Sequence, residues 1–325
     1  MTPSQIVALC AGLSLFSGVA LAETAGDPLA EGRVLELSFG LVAPLNTLQD
    51  TLTTLNGGGA QLQSTSVLDF GTGGRVGLAY SNPWGENARF VVNLTGARAS
   101  GTARVEVGDI RATFPGIYDD GFSLPADTYF DGTVETETTM LSVGKEWARG
   151  ENWRFSAGLQ GGTASQDFSV QLYGRPPLAL FDGELFSTVD SRSRNRFAGV
   201  YGGVSHYSSL DDGFGLRLSG TLGILHNDFD FEYNRVNRAI GSPPNSQRVT
   251  ASGAGTAISA KLSARLERSL ASGGLLSLEV GYEGLSGVGN GVDTLLDPDG
   301  TATVAHVDRD SIGASYVSIG YAFRY

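Results

Sequence analysis

The chain closes on Ser315-Tyr316-Val317-Ser318-Ile319-Gly320-Tyr321-Ala322-Phe323-Arg324-Tyr325. Read as an extended strand, Val317, Ile319, Tyr321, Phe323 and Tyr325 share one face, and Ser318, Gly320, Ala322 and Arg324 share the other. One face is oily and the other is small or polar. A soluble sandwich would bury the oily face and rarely finish on it, because chain ends fray unless they are tied down. A closed barrel in a membrane turns that face toward lipid.

The same alternation recurs upstream. Leu35, Leu37, Phe39 and Leu41 alternate within Arg33 to Val42, and Val76, Leu78 and Tyr80 within Gly73 to Ser81. Phe90, Val92 and Leu94 follow after the turn Asn82 to Asn87. A fourth segment ends in Leu141, Val143 and Trp147, turns over Ala148 to Asn152, and returns through Trp153, Phe155, Ala157 and Leu159. Segments Arg192 to Tyr207 and Phe214 to His226 flank Ser208 to Gly213, while Val249 to Arg268 and Leu275 to Gly284 flank Ser269 to Gly274. The closing strand makes ten, with twelve if a long connection hides another hairpin. Short turns alternate with long connections, which predicts an all-β, transmembrane, antiparallel up-and-down barrel with short periplasmic turns and long extracellular loops. In the first long connection, leucines spaced by three and four from Leu45 to Leu55 predict one short amphipathic helix.

An aromatic last residue preceded by alternating apolar positions resembles the closing strand of bacterial outer-membrane β-barrels. That resemblance implies an outer-membrane location. It also implies that the strand is the signal read by the barrel-assembly machinery.

Composition agrees with this class. The 325 residues include 46 Gly and are 41% hydrophobic, and no stretch after the N-terminus approaches the length of a spanning helix. Residues 1–22, with an apolar core from Ile6 to Val19 and a small-residue site at Ala20-Leu21-Ala22, read as a signal peptide, although no Lys or Arg precedes the core. Residues 23–32 then form a periplasmic segment and 33–325 the barrel. The single cysteine, Cys10, falls in the leader, so the mature chain has no disulfide and no thiolate chemistry. A net charge of −12 argues against a nucleic-acid partner. Outer-membrane lipid and lipopolysaccharide are the partners expected.

With the oily faces outward, the lumen receives Glu36, Arg75, Arg89, Glu146, Arg154, Arg217, Lys261, Arg265, Glu267, Glu279, Glu283 and Arg324. A barrel of this size is nearly filled by its own side chains, so these charges make either a small aqueous pore or a hydrated, salt-bridged plug. Arg192, Arg194 and Arg196 share one face. If Phe197, Tyr201 and Tyr207 face lipid, these arginines form a cationic row at a pore mouth; if Val200 and Val204 do, they point at lipopolysaccharide phosphates. Trp84, Trp147 and Trp153 sit beside short turns and, with Tyr325, form an aromatic girdle at the periplasmic boundary.

The long connections carry Asp119, Asp120, Asp127, Asp131, Asp228, Asp230, Glu232, Asp293, Asp297, Asp299, Asp308 and Asp310, carboxylates of the kind that hold calcium or magnesium or else stay solvated. No cofactor is expected. Ten strands are also the count of the omptin surface proteases. The nearest material to their Asp and His pairs is Asp119-Asp120 with His226-Asn227-Asp228, in an order opposite to that family's. No serine-hydrolase elbow or zinc-protease motif is present. The functional expectation is a non-enzymatic barrel, either a small porin-like channel or a surface-presenting scaffold, with omptin-like protease and adhesin-like binder as alternatives.

Overall fold

Ten strands run up and down around one ring: β1 (Val34–Asn46), β2 (Gly73–Pro83), β3 (Ala88–Val107), β4 (Thr128–Arg149), β5 (Trp153–Gly174), β6 (Leu185–Ser209), β7 (Phe214–Asn237), β8 (Asn245–Ser269), β9 (Leu275–Leu296) and β10 (Ala302–Arg324). Each pairs antiparallel with its chain neighbours, and β1 pairs with β10 to close the ring. This computed structural model describes residues 32–46, 51–55, 61–66, 69–107, 110–112, 122–124, 128–150, 152–174, 185–210, 213–237, 245–270, 273–296 and 302–325. The leader and residues 23–31 lie outside them, as do Asp119, Asp120, Asp127, Asp297 and Asp299.

The closing strand does what its alternation predicts. Leu35 faces Phe323 and Phe39 faces Ile319 on the outer surface, while Glu36 and Ser38 face Ala322 and Gly320 within. Arg33 and Tyr325 exchange both backbone hydrogen bonds at 3.2 Å, so the two ends of the described chain are tied together. Every short turn between consecutive strands lies at this same end. Gly85, Gly150, Gly213 and Gly273 stand one in each of them with φ between 73° and 91°, the left-handed conformation that lets the chain reverse in a few residues.

Two expectations are corrected. Thr51–Leu55 is a strand paired with Gln61–Ser66, not part of a helix; three threonines in five residues favour extended backbone over the leucine spacing. Most strands are also longer than the alternation indicates, with β3 to β10 each having 20 to 25 residues. Asp131, Asp228, Asp230, Glu232, Asp293, Asp308 and Asp310 therefore belong to strands, not loops.

The reason is a change of phase. On β7 the outward residues Leu218, Leu222 and Ile224 are exposed and apolar, and the inward Arg217, Ser219 and Thr221 are polar. Above them the outward residues become His226, Asp228, Asp230 and Glu232, and the inward ones become Leu225, Asn227, Phe229, Phe231 and Tyr233. Strands β5 and β6 switch at the same height, where Thr163 and Arg196 are paired. Below the switch the barrel is oily outside and wet inside, as lipid demands. Above it the polarity is that of a protein in water. Spanning needs roughly ten residues per strand, so about half of each long strand stands clear of the hydrocarbon.

Candidate functional site

The lower lumen is an ion-pair network. Glu36 of β1 accepts from Arg265 of β8 at 2.8 Å across the interior. Arg265 also meets Glu267 at 3.1 Å, and Glu267, with 1% exposure, accepts from Arg217 of β7 at 2.9 Å. Arg75 of β2 reaches Glu283 of β9 at 3.2 Å and lies 4.0 Å over the Tyr316 ring. Lys261 pairs with Glu279 at 3.1 Å, and the Tyr316 hydroxyl donates to the same carboxylate at 2.5 Å. Arg154 meets Glu146 at 2.8 Å, and Arg89 donates to the carbonyl of Gly32 at 2.7 Å. Glu36, Arg75, Arg89, Arg154, Arg217, Lys261, Arg265 and Glu279 thus all lie inside the ring. Arg324, at the rim, is exposed.

Within this network the lumen holds a cavity of about 320 Å³, lined by Glu36, Arg89, Arg217 and Arg265 and, higher up, by Ser38, Asn93, Ser142 and Gln160. A second, of about 140 Å³, lies higher and is lined mainly by apolar groups such as Val42, Ala97, Met140 and Ile312.

The roof is apolar. Ala164, Phe197, Leu225, Ala257, Leu285, Val288 and Ile312 pack together across the interior, and Phe168, Val170, Val189, Phe229 and Phe231 are buried above or beside them. One polar device sits within. The side-chain amide of Asn195 on β6 donates to the Gly289 carbonyl at 2.9 Å and accepts from the Gly289 N–H at 2.8 Å. Asn227 of β7 donates to Asn195 at 2.8 Å and to the Gly287 carbonyl at 3.1 Å. Two buried amides therefore hold a segment of β9 inside the barrel. Sequence reasoning passed over this pair; the signal was an asparagine on each of two neighbouring inward faces, between Ser193 and Phe197 on β6 and between Leu225 and Phe229 on β7.

Arg192, Arg194 and Arg196 are placed on the outer surface, so the cationic pore mouth is corrected. Val200 and Val204 are the residues exposed to lipid, whereas Phe197, Tyr201 and Tyr207 are buried within. Arg192 pairs with Asp167, and Arg196 with Asp230 at 3.4 Å, across neighbouring strands above the oily belt. Trp84, Trp147, Trp153 and Tyr325 are all exposed at the short-turn end. Trp153 packs edge-on against His206, with ring centroids 4.6 Å apart, and Trp147 stacks on Phe155. Of the residues at stake in a protease reading, His226 and Asp228 lie 3.2 Å apart, and both are on the outward face. Among the described residues, no group of three or more His, Cys, Asp or Glu side chains is placed to hold a metal ion.

A closed ring of ten strands, an oily belt outside, charged residues within and aromatic residues at the turn end make this chain a transmembrane β-barrel of the outer-membrane type. No protein-family model matches it, and no curated protein matches it in sequence. Solved structures similar to it at low sequence identity include the following three. Outer membrane protease OmpT from Escherichia coli is 9% identical, with 93% of this chain and 99% of that one covered at a TM-score of 0.44. The translocator domain of autotransporter NalP from Neisseria meningitidis is 13% identical, covering 99% and 95% at 0.35. The P. putida toluene transporter TodX is 9% identical, covering 91% and 90% at 0.31. The three names carry three different activities, and a ring of strands selects none of them.

Proposed function

We propose that this is a non-enzymatic outer-membrane barrel whose lumen is closed to ions and whose upper half is presented at the cell surface. One observation carries the reading: an apolar layer packs across the lumen above the ion-paired layer and its cavity. A hydrated ion would have to shed its water to pass it. The outward band of Arg192, Arg194, Arg196 and Arg248 stands just above the oily belt, where it faces lipopolysaccharide phosphates, and the closing strand serves as the assembly signal.

Planar-bilayer recording of the refolded protein tests this reading. Insertions should show no steady openings at any voltage. Stable ohmic steps would overturn the proposal and favour a small porin. Refolded protein should also leave basic peptides intact, whereas cleavage lost in His226→Ala would make it a surface protease.

A further inference from the structure

The ring is not equally paired all the way up. Strands β8 and β9 both continue far above the belt, yet their pairing ends at Ile258 opposite Ser286. Elsewhere neighbouring long strands pair along almost their whole length, for example β7 with β8 from Phe214 opposite Arg268 up to Asn237 opposite Asn245. Among the described residues, no strand pairs with this edge of β8 above Ile258. Lipid could not cover such an edge. It begins at the polar level where Thr256, Ser252 and Thr250 replace the belt on the outer surface.

The cause is that β9 turns inward. Gly287 has φ +72°, and the register with β10 slips between Ser286 and Val288 and again between Gly289 and Gly291. Val288 is fully buried, and Gly289 is held by the Asn195 amide of the opposite wall. Arg309 of β10 occupies the resulting seam. Its guanidinium donates to the Ala254 carbonyl of β8 at 2.5 Å and lies where any Cβ on Gly255 would stand.

Immediately below this seam lies the 140 Å³ cavity, whose lining includes Ser259 of β8 and Leu285 of β9. Leu285 also belongs to the apolar cluster with Val288, so the inward turn of β9 packs next to the cavity wall. The lining is mainly apolar. Lys261 and Glu283 on its lower rim are already paired with Glu279 and Arg75. The hydroxyl of Thr136 is buried there with no hydrogen-bond partner among the described residues. A cavity of roughly 150 Å³ lined by apolar groups is large enough for one aromatic ring.

We propose that this cavity binds a small uncharged molecule with a compact apolar body and one hydrogen-bonding group, of the size of phenol, admitted sideways through the β8–β9 seam. Thr136 supplies the polar contact, and the β9 turn with Arg309 closes the way in behind the ligand.

The test uses the full barrel in nanodiscs with phenol and benzene as probes, read by ligand-observed NMR against empty discs. Phenol should show saturable, protein-dependent binding. Thr136→Val should weaken phenol about tenfold, the value of one lost hydrogen bond, while leaving benzene unchanged. Ala97→Trp, which fills the cavity, should abolish both. Arg309→Ala should accelerate phenol exchange with little change in affinity. Only non-saturable partitioning, or equal binding by wild type and Thr136→Val, overturns the site. An unchanged exchange rate in Arg309→Ala overturns the seam as its entrance. Thr136→Val preserves side-chain shape, so the site remains testable even where Ala97→Trp fails to fold.

Discussion

Glu267 has 1% exposure, accepts from Arg217 and forms an ion pair with Arg265 at 3.1 Å, while Arg265 donates to Glu36 across the lumen. Removing its charge takes a paired carboxylate from Arg217 and one of two from Arg265. A buried pair broken on one side typically costs 3–5 kcal/mol, so Glu267→Gln should destabilise the folded barrel by about 3 kcal/mol. Urea unfolding in vesicles followed by tryptophan fluorescence measures it, and a loss under about 0.5 kcal/mol would mean that water screens the network. Asn195 is a different case, because its amide satisfies both backbone groups of Gly289 in an apolar surrounding. Asn195→Leu strands that N–H and carbonyl and should cost about 1–3 kcal/mol in the same assay.

At the scale of a strand, the change of phase on β7 divides positions that look alike in exposure. Leu222 and Asp228 are both outward and more than half exposed, but one faces hydrocarbon and the other lies above it. Leu222→Arg should cost about 2–4 kcal/mol, whereas Asp228→Arg should stay within about 0.5 kcal/mol. Equal costs at the two positions would put the membrane boundary elsewhere. The inward turn of β9 depends in turn on one backbone conformation. Gly287→Ala imposes a left-handed φ on a residue with a Cβ and drives that Cβ against the Thr256 carbonyl, so a loss of about 1–3 kcal/mol is expected, with none for Ser286→Ala.

For the whole molecule, closure is the condition on which the rest stands. Strand β10 pairs with β1 on one side and β9 on the other, so deleting residues 315–325 opens the ring beside lipid on both flanks. The truncated chain should lose the faster mobility that unboiled folded barrels show on gels; retained mobility would mean that the ring closes another way. The alternation of Val317, Ile319, Tyr321 and Phe323, repeated in nine earlier segments, was enough to determine the ring and which end carries the short turns, because side chains alternate faces in any strand and lipid accepts only one kind; the structure then decided for ten strands over twelve. The same rule placed Glu36, Arg75 and Arg265 inside. It failed above the membrane, where water covers both polar and small outward residues and the pattern no longer states which face is out. That is why Asp228, Asp230 and Glu232 read as loop, and why the sequence admits two orientations for Arg192, Arg194 and Arg196. Only the tertiary structure decided that β9 leaves its place beside β8 to meet Asn195 and Asn227. Those contacts join residues 60 to 94 positions apart, and no local period in the chain encodes a strand that breaks ranks to fill the lumen.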